Sequence, residues 1–120
     1  MIVFSPTPQS SADGPEIGIL RQFTFSSSLQ RMSVIVKNLS TPTFDLYVKG
    51  SPEMVSSLCD QQTIPENMAS RLAEYTQHGY RVIALAHRQL NMNYAKLQRV
   101  ERYHPLLLQP QARIYEMMRW

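Results

Sequence analysis

Between residues 18 and 49 the chain carries apolar stretches with a two-residue period, separated only by short turn-like segments. "GILRQFTF" (residues 18–25) sets Ile19, Arg21, Phe23 and Phe25 on one side, with Leu20, Gln22 and Thr24 on the other. "RMSVIVKN" (residues 31–38) keeps Met32, Val34 and Val36 in phase, and "FDLYVK" (residues 44–49) does the same with Phe44, Leu46 and Val48. A two-residue period belongs to strands, whose side chains alternate between faces. "SSSLQ" and "STPT" are too short to carry a chain across a sheet, so these strands are predicted to run antiparallel as a meander.

Helical signals follow. Ser51 suits an N-cap, Pro52 the first helical position and Glu53 the positive end of the helix dipole, which predicts a short helix over residues 52–58. Thr63 with Glu66 three residues later reads as a capping box opening a second helix. In that helix Met68, Leu72 and Tyr75 form one stripe, backed by Ala69 and Ala73, and Gly79 stops it. "YRVIALAH" (residues 80–87) predicts a fourth, central strand. The order β-β-β-α-α-β is an α+β pattern, an antiparallel β-sheet flanked by helices on one face. Residues 92–102 fit a helix, whereas "YHPLLLQPQARIYEMMRW" (residues 103–120) offers no evident place to bury its apolar side chains.

Composition divides the chain into a flexible, Ser/Pro-rich segment at 1–15, a core at 16–90 and a basic tail at 91–120. The tail holds five of the twelve Lys/Arg and two of the nine Asp/Glu, so it supplies the whole net charge of +3. Such a tail could attract nucleic acid or an anionic surface, giving an alternative reading as a non-enzymatic interaction module. The small charge and the lack of interleaved aromatic and basic residues argue against it. No window approaches the roughly 18 apolar residues of a membrane span, and the N-terminus lacks the basic region of a secretory signal. A single cysteine, Cys59, excludes an internal disulfide and a cysteine-built metal site. His78, His87 and His104 are scattered and read as surface residues. P-loop, dinucleotide-binding, zinc-protease and nucleophile-elbow patterns are absent.

Three blocks in fixed order remain: "QFTFSSSLQRMSVIV", "YVKGSPEMVSSLC" and "GYRVIALAHRQL". Together they resemble the nucleotide-binding domain of P-type transport ATPases, and "FSSSLQRMSVIV" is most similar to the type-five branch. The resemblance runs from about Pro15 to Arg102. It implies ATP as ligand, with Mg²⁺ on its phosphates, and the remaining domains of a pump as partners. The implied parent is an endosomal or lysosomal multi-pass membrane protein that moves cations or polyamines, with this domain on its cytosolic side. The family's strands before "PEIGIL" have no counterpart, which implies an open sheet edge. The tail departs from the family's continuation, which suggests a truncated or alternatively spliced product.

Five residues are nucleotide-site candidates. Phe25, at a strand end, is either a core ring or a marginal one; the resemblance implies stacking on adenine. Lys49 leaves the strand where an ammonium can enter a cleft, and in the family this lysine lines the ATP pocket. Gly50, without a Cβ, would let a base or phosphate approach the backbone, and the amides opening the next helix would add positive field. Arg81 begins a strand that otherwise wants apolar residues; it is either a surface ion-pair residue or, as the resemblance implies, a contact to phosphate or ribose. Gln30 stands where many members carry a basic residue, and Arg31, its neighbour on the opposite strand face, is the remaining candidate. Ser51, Pro52 and Glu53 are assigned to folding. The phosphorylated Asp-Lys-Thr-Gly-Thr motif and a Thr-Gly-Asp are absent, so this chain by itself is expected to grip adenosine without hydrolysing ATP.

Overall fold

A computed structural model describes residues 2–4, 15–99 and 113–119. The strands β1 (Ile2–Phe4), β2 (Ile17–Ser26), β3 (Arg31–Asn38), β4 (Phe44–Gly50), β5 (Val82–Leu90) and β6 (Arg113–Arg119) form one six-stranded sheet in sequence order. Every neighbouring pair is antiparallel. The α+β meander expected from the alternation is therefore present. It is extended at both edges, by β1 from the segment expected to be a flexible lead-in and by β6 from the tail left without an assignment. The expectations for residues 103–112 and for His104 lie outside the described residues.

Helix α1 (Pro52–Leu58) matches its predicted span, and Ser51 accepts from the Met54 amide as its cap. The following helix does not start at the capping box. Asp60 accepts from the Gln62 amide and closes a 3-10 turn over Gln61–Thr63, with the Thr63 hydroxyl donating to Asp60 O. Ile64 is then held extended at φ −75°, ψ 126°, as a residue before proline prefers. Helix α2 (Met68–Gln77) begins only at Asn67, without a side-chain cap. Its Met68 is buried and Leu72 and Tyr75 are half-buried, while Ala69 and Ala73 face solvent instead of backing the stripe. Gly79, at φ +73°, ends it as expected, with Tyr80 N bonded to Tyr75 O and Gly79 N to Thr76 O. Of the span 92–102, the described residues 92–99 hold a short helix, α3 (Tyr94–Gln98), capped by Asn93.

The three described α-helices lie on one face of the sheet. There Phe23, Ile35, Leu46, Val48, Ala84 and Ala86 pack with Val55 of α1, Cys59 and Leu97 of α3. Ile35, Val55 and Leu97 are fully buried. The opposite face carries Met32, Val34, Tyr47, Lys49, Leu85 and His87, and no helix among the described residues covers it. Nor is any described helix long and apolar enough to cross a membrane.

Two irregularities break the expected alternation of β2. The register shifts between Ile19 and Arg21 and again between Phe23 and Ser26. Phe23 is thus buried at 4% exposure while Phe25 is 60% exposed, although strict alternation puts both on one face. Arg21 stays on the helical side, lying 5.4 Å over the Phe23 ring and donating to Gln98 O.

Candidate functional site

The sheet register brings most of the candidates to one margin. Ser26 pairs with Arg31, Arg31 with Gly50, and Gly50 with Ala84. Phe25 precedes Ser26, Lys49 precedes Gly50, and Arg81 lies three residues before Ala84, so chain segments remote in sequence meet at this end. Face then separates what register unites. Met32, Lys49 and Leu85 stand side by side on the open face. Arg31 and Gly50 share the helical face.

On the open face a cavity of about 240 Å³ is lined by Met32, Ser33, Val34, Tyr47, Lys49 and Leu85. Whole-ligand clefts run roughly 300–1,000 Å³, so this volume suits one flat part of a ligand, with the remainder outside. The side chains lining it are apolar apart from the phenol of Tyr47 and the Lys49 ammonium, because Ser33, paired with Val48, turns its side chain to the helical face. Exposed Lys49 is its one cation. Such a site offers a greasy slot for a ring and a positive charge at the rim for an anion.

Of the candidates only Lys49 lines this cavity. Phe25 is exposed at the same margin, where its ring is free of the core. Arg81 is exposed just before β5. Arg31 is 6% exposed, and its guanidinium Nη1 lies 3.7 Å from Met54 Sδ, under α1. Gly50 is needed for a reason other than ligand approach. A Cβ there would overlap Gln30 O and meet Arg31 Cα and Cβ at 3.0 Å. The close neighbour is thus the β2–β3 turn, which is further tied down by Ser51 N to Gln30 O at 3.1 Å and Ser51 Oγ to Gln30 Oε1 at 3.2 Å. Gln30 sits in that turn at φ +52°. Two of the amides expected to add field at the start of α1 are occupied: Met54 N bonds Ser51 Oγ and Val55 N bonds Ser51 O.

The remaining lining residues were not singled out from sequence as site residues. Their signal was available: Tyr47 lies two positions before Lys49 and shares its face, and Met32 and Val34 alternate toward the same side. Choosing that side over the other needs the helices, which decide which face is core.

Comparison with known proteins gives the family. A family model described as P-type ATPase, cytoplasmic domain N, matches residues 13–116, extending past Arg102 into the tail. The probable cation-transporting ATPase catp-6 of Caenorhabditis elegans is 50% identical over 103 residues, covering 83% of this chain and 8% of the relative. The polyamine-transporting ATPase 13A3 of Mus musculus is 51% identical over 89 residues, covering 72% of this chain and 7% of its own length. The polyamine-transporting ATPase 13A2 of Homo sapiens is 44% identical over 89 residues, covering 73% of the chain and 8% of the relative. The chain thus spans less than a tenth of the length of these relatives. With its meander sheet, one-sided helices and ordered sequence blocks, the chain belongs to the P-type ATPases, as their cytoplasmic domain N, in the branch of the 13A-type relatives.

Proposed function

We propose that this chain holds the adenosine part of ATP for a cation- or polyamine-transporting pump, phosphoryl transfer being carried out by a separate domain. The observation that carries the reading is the open-face cavity with Lys49 at its rim, at the margin where Phe25 and Arg81 also emerge. The base would enter between Met32, Val34, Tyr47 and Leu85, with Phe25 stacking at the margin. Lys49 and Arg81 would meet the phosphates. Arg31 and Gly50 would support the site from the other face, by fixing the β2–β3 turn against α1.

The residues fit ATP by chemistry, since apolar walls and cations suit a base and a polyanion. They offer no ligand to the metal, because no carboxylate lines the cavity. Mg²⁺ would arrive on the phosphates and supply charge neutralisation there. The pump's other domains would be the partners, and the parent's membrane the endosomal or lysosomal one.

Titration of the ¹⁵N-labelled chain with ATP tests this. Amide shifts are expected around Met32, Val34, Tyr47, Lys49 and Leu85, with a Kd of about 0.1–10 mM, given one stack and few charged contacts. Absence of any shift there at about 10 mM ATP, a concentration at which such a weak site is substantially filled, defeats the reading.

A further inference from the structure

Asp45, Tyr47 and Lys49 alternate along β4 on the open face, and the last two line the cavity. Tyr47 stands directly opposite His87 of β5. Their ring centroids are 4.8 Å apart, with the planes 32° from parallel. His87 Nε2 lies 2.7 Å from Asp45 Oδ1, and the two side chains are 19% and 21% exposed. A carboxylate oxygen of an ionised Asp only accepts, so Nε2 carries the proton and donates it to the bond. The result is a relay of contacts. Asp45 fixes the orientation of the His87 ring, His87 backs the Tyr47 ring, and Tyr47 borders the cavity.

An aromatic wall adds affinity most efficiently when its rotamer is chosen before the ligand arrives, because less side-chain entropy is then lost on binding. Neither Asp45 nor His87 lines the cavity. We propose that Asp45 and His87 are positioning residues, which hold Tyr47 in the rotamer that forms the apolar wall of the nucleoside slot. The proposal rests on the ATP reading above, and it assigns a role to the one described histidine–carboxylate pair, which the ATP contacts leave unused.

The test uses the full 120-residue chain and its variants Asp45→Ala, Asp45→Asn, His87→Ala and the double alanine variant. Two readouts are taken: the Kd for ATP, and the ring resonances of Tyr47 without nucleotide. Asp45→Ala and His87→Ala each weaken ATP about fivefold, and the double variant is no weaker than either, as expected of groups acting through one ring. Asp45→Asn keeps an oxygen acceptor and regains most of the affinity. The Tyr47 resonances move in the ligand-free Asp45→Ala chain, which keeps the His87 ring and its ring current, and loss of global stability alone would not produce this in samples that stay folded.

Variants that bind ATP as the parent does, or unmoved Tyr47 resonances, overturn the proposal while the ATP reading stands. Asp45→Asn binding as weakly as Asp45→Ala removes the hydrogen bond as the cause and overturns it too. A parent chain that fails to bind ATP at all removes both.

Discussion

Phe23 and Phe25 differ by two positions and by nearly the whole range of exposure, 4% against 60%. Their substitutions should separate stability from binding. Phe23→Ala is expected to cost about 3–5 kcal/mol in urea unfolding, as for a buried aromatic. Phe25→Ala should stay within about 0.5 kcal/mol of the parent while losing roughly 1–3 kcal/mol of stacking on adenine, read by ATP titration. Gly50 gives the opposite pattern. Adding a methyl group there pushes against the Gln30–Arg31 backbone, which cannot rotate away as a flexible side chain can. Gly50→Ala should therefore lower stability by about 1–3 kcal/mol, measured by the same urea melts. Phe25 was legible as a strand-end ring in the sequence. Its separation from Phe23 was not, because a bulge is a pairing event between strands and leaves no mark on the alternation of one.

Among the elements, the short helices depend on what they bury. Helix α3 spans Tyr94–Gln98 and places Leu97 in the core at 0% exposure. So few residues cannot hold a helix alone, and Leu97→Ala should cost about 2–5 kcal/mol and loosen the segment in hydrogen exchange. Cys59 closes α1, buried at 2% exposure with its Sγ 3.1 Å from Val55 O. Burial pushes its thiol up from the ordinary 9.0 to about 11. Above pH 9 the unfolded chain releases the proton and the folded chain keeps it, so stability is full below pH 9 and declines toward pH 11. The slope is up to about 1.4 kcal/mol per pH unit. Urea midpoints at pH 8 and pH 10 should show the decline, and Cys59→Ala should remove it; the native thiol should also be unreactive to a thiol reagent at pH 8. Helix α1 could be bounded from Ser51, Pro52 and Glu53 because capping is local chemistry. The start of α2 could not, since Asp60 and Pro65 outcompete Thr63 and Glu66 for the same backbone.

Across the whole molecule, strand β6 of the tail is part of the sheet. β6 pairs along β5 from Val82 to His87, and Leu97 belongs to the central core. Ending the chain at residue 90 should cost at least the roughly 2–5 kcal/mol of losing Leu97, and it would bare the edge of β5 to other chains. Urea unfolding and light scattering of that truncated chain measure both effects. Charge composition made residues 91–120 look like an appendage, because pairing between distant segments is invisible to composition. The sequence by itself determined the four strands β2 to β5, their antiparallel order, the helix α1 and the family, since alternation, capping and ordered motifs are written in neighbouring residues. Only the tertiary structure decided which face of the sheet the helices cover. That choice buried Arg31, turned Lys49 and Tyr47 toward an open cavity and set His87 against Asp45, because each depends on which distant surface removes apolar area from water.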